Sequence, residues 1–293
     1  MRLLITTDEV RATRHALAWA VQKKRITTIG RGVYAVGSAE PTPLDRARAA
    51  VLRCGGEARG ALAGVLHGLD SVVLDDRPTR RDRLPPARVV CVGGVRCADG
   101  LATLVDLAAV LDDLTWEQAL ESALRKRITT VAAIEAELPT LGASRVPGTK
   151  RIRRVLALRP PGVPPTESLL ETLMVQLARD VPEVGELVRQ HEVRDDDGTF
   201  VARLDLSRPD VGFFIELDGE HHKDQPVYDA VRQTAVVAAT GMLPGRFTWT
   251  ELTRFPNTTK RRLAALARQA RAVRRQRPVI ASDSSGSDRP FSA

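Results

Sequence analysis

The sequence has little of what marks several common protein classes. It holds only 3 cysteines, Cys54, Cys91 and Cys97, and none stands at Cys-x-x-Cys spacing. Neither a disulfide framework nor a structural zinc site is therefore expected. No apolar run approaches the roughly 18 residues that a membrane helix needs, and the N-terminus turns polar too early for a signal peptide. We expect a cytoplasmic protein without a membrane partner.

Aromatic residues and lysine are scarce as well. Aromatics make up 4% of the 293 residues, so the cores must be built from Leu, Val and Ala. Lysine occurs 6 times, and nearly all of the positive charge is arginine. The formal net charge is nevertheless +8 and the isoelectric point is near 10.0. Such a balance favours a polyanionic partner, here double-stranded DNA, and the length suits two or three domains.

Two predicted strands in the second half of the chain carry acidic residues at a shared end. Residues 203–206 and 213–218 read as β-strands, because a cluster of turn-forming residues separates two apolar runs. Side chains alternate along a strand, so Glu216 and Asp218 point the same way, and Asp205 on the neighbouring strand can join them. Oxygen clusters of this kind hold Mg²⁺ or Mn²⁺.

Two adjacent histidines follow these acids after a glycine. His221 and His222 are candidates for a base or a further ligand. Alternation favours His222, unless a turn at Asp218-Gly219 breaks the strand. The carboxylates and histidines together outline a metal-dependent phosphodiesterase site. The alternative is an Asp-Gly hairpin turn with solvated acids.

Five motifs in this half of the chain agree in order and spacing with a known family. They are Glu167-Ser-Leu-Leu-Glu171, Gln190-His-Glu192-Val, Val201-Ala-Arg-Leu-Asp205-Leu, Ile215-Glu-Leu-Asp-Gly-Glu-His-His222 and Arg246-Phe-Thr-Trp249. The segment 165–272 thereby resembles the actinobacterial family of uncharacterised domains related to very-short-patch repair endonucleases, in the PD-(D/E)XK superfamily. The resemblance implies a four-stranded mixed sheet flanked by helices, with a divalent metal ion on the strand carboxylates.

The same resemblance implies a role for each motif residue. Asp205 matches the central metal ligand, and Glu216 matches the acid of the Glu-x-Lys element. Glu171 matches an acidic contribution from the first helix. His221 or His222 matches the histidine that serves the repair endonucleases.

The chain departs from the family pattern at one position, because Asp218 stands where the lysine is expected. A lysine there would orient water and stabilise charge on the phosphorane. Either a histidine replaces it or the site is catalytically weak, and Arg246 is a further source of positive charge.

Residues 1–40 have the pattern of a small winged helix-turn-helix. A helix is predicted over 13–24, followed by a hairpin over 26–36 with Gly30-Arg-Gly32 at its tip. The Gly-x-Gly-Val-Tyr hairpin resembles the wing of AbiEi-type antitoxins, which implies DNA binding and a cognate toxin as a possible second partner. An arginine at a wing tip suits a phosphate or a minor groove, or is simply solvated. The candidate DNA contacts are Arg14, Lys23, Lys24, Arg25 and Arg31.

The remaining regions complete an α+β architecture. We expect a mostly helical connector over 41–150, a linker over 151–165, a restriction-endonuclease-like mixed sheet flanked by helices over 166–276, and a disordered tail over 277–293. A strand ending in Arg246-Phe-Thr-Trp249 should bury Phe247 and Trp249 together. The last helix, from Pro256, carries a basic stripe suited to a phosphate backbone. Its candidate contacts are Lys260, Arg261, Arg262 and Arg268.

Three functions fit these features. The first is a DNA-binding protein with a metal-dependent endonuclease-like domain that hydrolyses phosphodiester bonds. The second is a non-catalytic, antitoxin-like regulator with a degenerate nuclease fold, favoured by Asp218. The third is a toxin-neutralising protein that touches DNA incidentally, which the basic stripe disfavours.

Overall fold

The computed structural model describes residues 3–10, 13–74, 83–218 and 226–276. The chain is mixed α+β, which confirms the fold class expected from the sequence. It forms two compact units that divide between Thr172 and Leu173. Within the described ranges, no helix is both long enough and apolar enough to cross a membrane.

The first unit begins with a small antiparallel sheet and two short helices. Its elements are β1 (Leu4–Thr6), α1 (Thr7–Val10), α2 (Arg14–Gln22), β2 (Ile26–Gly30) and β3 (Val33–Val36), with strand order β1-β3-β2. The Thr13 hydroxyl accepts a hydrogen bond from the Ala16 N–H and begins α2. Gly32 has a φ of +75°, a conformation that glycine adopts without strain, and this lets β2 turn back into β3.

A helical region follows in the same unit. Its elements are α3 (Pro43–Cys54), α4 (Gly60–Leu66), β4 (Val89–Val92), β5 (Val95–Ala98), α5 (Gly100–Ala108), α6 (Asp113–Arg125), α7 (Val131–Ala143) and α8 (Thr149–Leu156). Leu104, Leu107 and Leu120 pack in its core around the fully buried Trp116. The indole N–H of Trp116 donates to the Leu104 carbonyl at 2.9 Å, so even this polar atom is satisfied.

Helix α3 joins the small sheet to the helical region. Its Ala49 shares a buried cluster with Leu4, Val33 and Ala35 of the sheet. Its Arg48 donates to the Gly93 carbonyl, between β4 and β5, at 2.6 Å. Residues 1–40 and 41–150, which the sequence suggested as separate domains, therefore lie in one compact unit.

The segment 151–165 differs from the expected linker. Its first part belongs to α8, where Ile152 and Val155 are buried in the helical core. Ile152 and Val155 have the spacing of an apolar helix face. The sequence prediction did not recognise this face because basic residues surround both positions. Further along, the Thr166 N–H donates to the Glu121 carboxylate of α6 at 3.1 Å. The segment is thus attached to the first unit at both ends.

The second unit is built on a four-stranded mixed sheet. Its elements are α9 (Leu169–Arg179, which spans the boundary), β6 (Val188–Arg194), β7 (Phe200–Arg208), β8 (Phe213–Asp218), α10 (Pro226–Thr240), β9 (Leu243–Thr248), α11 (Trp249–Arg254) and α12 (Pro256–Gln276). The strand order is β6-β7-β8-β9. The first three strands pair antiparallel, whereas β8 and β9 are parallel and are connected through α10.

Helices cover the sheet at two places. Val236 of α10 packs in a buried cluster with Leu204 and Phe214. Helix α12 approaches β9 so closely that a Cβ added at Gly245 would lie 2.4 Å from Leu266 Cδ2. This close approach is a packing reason for a glycine within a strand.

The end of β9 corrects one expectation. Phe247 is buried as predicted, but Trp249 is 38% exposed. The strand stops at Thr248, whose hydroxyl and N–H form a reciprocal capping pair with Glu251. Because Trp249 begins α11, strand alternation no longer sets its direction.

Candidate functional site

The acidic end of β8 carries the predicted carboxylates. Phe213, Phe214 and Ile215 are fully buried, and Glu216 follows at 8% exposure. Asp218 is half-buried two residues further on. The described pairing of β7 with β8 ends at Leu206 and Ile215, so Asp205 and Glu216 are each the next residue on their strands. The antiparallel ladder therefore places Asp205, within β7, beside the end of β8 that carries Glu216 and Asp218.

Two arginines pair with two of these acids. Arg232 Nη1 lies 3.2 Å from Glu216 Oε1. Arg246 Nε lies 3.0 Å from Asp218 Oδ2, and its Nη2 lies 4.0 Å from Glu216 Oε2. We call these four side chains the carboxylate–arginine cluster. Its two negative and two positive charges balance.

The backbone explains why these charges meet. In the parallel ladder of β8 and β9, Arg246 is the register partner of Glu216. Arg232 comes from α10, which connects the two strands, and its Nη2 donates to the Arg203 carbonyl of β7 at 2.7 Å. The sequence reasoning missed Arg232. The sequence does contain a feature that could have indicated it: Arg232 is the sole basic residue of α10, the helix that returns across the sheet between β8 and β9.

The cluster has a clear electrostatic basis. The Glu216 side chain is 11% exposed, and a buried carboxylate is costly unless a counter-charge and hydrogen bonds compensate it. Arg232 supplies both, while Arg246 orients the more exposed Asp218. Such an arrangement can act as a structural ion-pair cluster. It can also present guanidinium groups to a phosphate once another cation binds the carboxylates.

Glu171, the acid predicted from the first helix of this segment, has a local role in the structure. Glu171 caps α9: its carboxylate accepts from the Glu167 N–H at 2.9 Å and from Ser168 Oγ at 3.1 Å. Its own N–H donates back to Ser168 Oγ, so Ser168 and Glu171 form a reciprocal pair at the start of α9. His221 and His222 lie outside the described residues. Among the residues inside them, no group of three or more His, Cys, Asp and Glu side chains could hold a metal ion.

A second candidate site lies at the end of α2. Lys23, Lys24 and Arg25 are exposed, as is Arg31 at the hairpin tip. We call these four residues the N-terminal basic surface. In the part of the chain that the structure describes, neither an ion pair nor a side-chain hydrogen bond is found for any of them. The side chain of the fifth predicted contact, Arg14, lies outside that part.

The backbone of this turn is well defined by hydrogen bonds. The N–H groups of Lys23, Lys24 and Arg25 donate to carbonyls in the last turns of α2, each at 2.9 Å. Lys24 takes a left-handed conformation with φ of 55°, as is common where a helix ends. The Arg25 guanidinium lies over the Trp19 ring, 4.7 Å from its centroid. Trp19 itself is 47% exposed and was not singled out from the sequence.

The basic stripe of α12 contrasts with this surface, because its four predicted contacts have partners. Lys260 Nζ lies 2.6 Å from Asp180 Oδ2, and Arg268 Nη1 lies 2.8 Å from Glu183 Oε1. Arg262 pairs with Glu251 and lies over the Phe247 ring, and Arg261 donates to the Thr258 hydroxyl at 3.1 Å.

The arginines of α8 are engaged in a similar way. Arg151 and Arg154 both bind the Asp113 carboxylate, and Arg154 comes first among the contacts that lower the pKa of Asp113 to about 2. Both side chains are thus partly neutralised within the first unit.

A cysteine–histidine contact in the first unit does not form a nucleophilic pair. His67 Nε2 lies 2.7 Å from the Ala98 carbonyl oxygen and 3.7 Å from Cys97 Sγ. Burial raises the pKa of the Cys97 thiol to about 12, so the thiol stays protonated and unreactive near neutral pH. His67 is therefore a structural histidine with a backbone partner.

No family model, curated protein or solved structure matches this chain. The likeness to nuclease-like and antitoxin domains stays a prediction from sequence motifs.

Proposed function

We propose that this protein binds double-stranded DNA through its N-terminal basic surface, and that its second unit is an endonuclease-like domain acting on DNA phosphodiester bonds. The observation that carries DNA binding is the set of four exposed cations without an acidic partner among the described residues. Phosphates are the natural partners of such cations, because binding releases counterions from the duplex. The order of helices and hairpin around these cations supports a winged-helix mode of binding.

The proposal of hydrolysis rests on the acids at the end of β8. Ligand sites in open sheets lie beyond the carboxyl ends of the strands, and the oxygen donors there suit Mg²⁺ or Mn²⁺. Asp205 and Glu216 would hold the ion, which when bound supplies positive charge at the scissile phosphate, while Asp218 is held by Arg246. Arg246, beside Asp218, provides a cation near the place where the family pattern has a lysine.

Cleavage of supercoiled plasmid with Mg²⁺ or Mn²⁺ tests the proposed hydrolysis. We expect nicking by the natural protein and its loss in Asp205→Ala and Glu216→Ala. Asp196→Ala removes an exposed carboxylate from the β6–β7 turn of the same unit and should leave nicking unchanged. Nicking that survives both site variants would reject the assignment of these acids.

A second function, that of a non-catalytic DNA-binding regulator, is favoured by the ion pairs of the carboxylate–arginine cluster. Glu216 and Asp218 already have guanidinium partners, so the cluster can serve stability alone. This alternative predicts salt-dependent DNA binding that is unaffected by Asp205→Ala, with no nicking in either metal. Fluorescence anisotropy of a labelled duplex, measured beside the plasmid assay, separates the two functions.

A further inference from the structure

The Trp19–Arg25 pair distinguishes among the polyanions that the N-terminal basic surface could bind. Four exposed cations alone would attract nucleic acid, an acidic protein or an anionic membrane with little discrimination. Trp19, at 47% exposure, adds an apolar ring to these cations, and a ligand with apolar as well as anionic groups can cover both. Of the three ligands, a DNA duplex presents phosphates together with the apolar parts of its deoxyriboses and the base edges of its grooves at short spacing.

The geometry supports a single stacked unit of aromatic and cation. Arg25 lies over Trp19 at 4.7 Å, a distance typical of cation–π contacts. The turn hydrogen bonds from Lys23 to the Trp19 carbonyl and from Arg25 to the Ala20 carbonyl hold both residues on the same rigid end of α2. The guanidinium and the ring are therefore positioned before any ligand binds, which lowers the entropic cost of binding.

We propose that Trp19 contacts the nucleoside part of bound DNA, its base or sugar, while Lys23, Lys24 and Arg25 contact the adjacent phosphates. This inference rests on the proposed DNA binding and assigns the class of ligand to that surface. Trp19 selects nucleic acid over other polyanions, while the hydrogen bond from the Arg25 N–H to the Ala20 carbonyl holds Arg25 at the end of α2, where it reaches a phosphate.

The test compares labelled duplex DNA with labelled inorganic polyphosphate of matched charge, both followed by fluorescence anisotropy on the full chain. Trp19→Ala should weaken DNA binding by about tenfold, in line with the loss of one aromatic contact to a nucleotide, and should change polyphosphate binding less than twofold. Trp19→Phe keeps a ring and should retain most of the DNA affinity. Arg25→Ala should weaken binding of both ligands and reduce the salt slope by about 1.

Intrinsic fluorescence gives an independent readout. Trp116 is fully buried, so a Trp249→Phe variant leaves Trp19 as the exposed indole of the chain. Its emission should be quenched by DNA but not by polyphosphate.

Each other result overturns the inference. An equal loss of DNA and polyphosphate binding in Trp19→Ala would show that the ring merely supports the cations. Unchanged DNA binding would remove Trp19 from the interface. Tight, Trp19-dependent binding of anionic vesicles would assign a membrane surface instead. No DNA binding by the natural protein would reject the proposed function together with the inference. The first two outcomes reject the inference alone, because the natural protein still binds DNA in both.

Discussion

The N-terminal basic surface and the α12 stripe look alike in sequence but differ in the structure. Both contain several cations within a short stretch at or along a helix. On α12, Lys260 and Arg268 are paired with Asp180 and Glu183, which lie 80 and 85 residues earlier in the chain. At the end of α2, Lys23 and Lys24 have no such partner among the described residues. A run of positive charge therefore indicates a binding surface only where the tertiary structure leaves it without nearby acids.

The same lesson applies to the carboxylates of β8. As a pattern, Glu-x-Asp at the end of a buried strand suggests an open ligand set. In the folded unit the two acids are matched by Arg232 and Arg246. Charged residues alone therefore do not identify a ligand site. The deciding property is whether side chains of opposite charge already pair with them in the fold.

The largest effect is expected from removing the unpaired cations. A Lys23→Ala, Lys24→Ala, Arg25→Ala triple variant should weaken duplex binding about 100-fold near physiological salt and lower the salt slope by roughly 3. The matched triple on α12, Lys260→Ala, Arg262→Ala, Arg268→Ala, should weaken binding about threefold or less. Anisotropy titrations at several salt concentrations measure both. Equal losses of duplex affinity in the two triple variants would show that the N-terminal basic surface does not bind DNA in preference to the α12 stripe.

The next effect concerns stability within the second unit. Arg232→Ala removes the nearer of two guanidinium partners of the buried Glu216 and should lower the free energy of unfolding by about 1–2 kcal/mol. Arg268→Ala breaks an exposed pair and should cost about 0.5 kcal/mol or less. Urea unfolding of the full chain, followed through the transition of this unit, compares them. Indistinguishable midpoints would mean that Arg232 does not stabilise the Glu216 carboxylate.

A smaller effect should follow from releasing the cations of α12. In an Asp180→Asn, Glu183→Gln variant, Lys260 and Arg268 lose their acidic partners, and the net charge rises by 2. We expect duplex affinity to increase about threefold, with a steeper salt slope. Asp196→Asn together with Asp197→Asn is a control for the change in charge, since these acids are exposed in the turn between β6 and β7. An equal gain in the control would assign the effect to overall charge.

The smallest effect is a pH dependence in the second unit. Burial lowers the pKa of His191, whose Nδ1 lies 2.8 Å from Ser207 Oγ. The folded state therefore disfavours the protonated imidazole. The contribution of His191 to the free energy of unfolding should be fully present above its unfolded pKa of about 6.5. It should be lost as the pH drops through the lower pKa of the folded state. His191→Gln should flatten this dependence in unfolding experiments, and an unchanged pH profile would assign it to other groups.

Much of the local structure could be predicted because it depends on neighbouring residues. The α+β class, the hairpin of β2 and β3, the helices α3 and α12 and the buried strand β8 all follow from apolar periodicity and turn residues. The position of Glu216 and Asp218 on one face of β8 also follows from strand alternation.

The tertiary structure decided which of these residues are available for function. Arg232 reaches Glu216 only because α10 returns across the sheet, and α8 is a helix because the core of the first unit buries Ile152 and Val155. Trp249 lies partly exposed since a capping pair ends β9 one residue before it. The local sequence pattern determines the secondary-structure element on which a side chain lies. Pairing between charges that are distant in sequence depends on tertiary packing, which no short stretch encodes. By itself, then, the sequence determined the elements and the placement of the charges, and only the fold decided which charges neutralise one another and which remain free to bind.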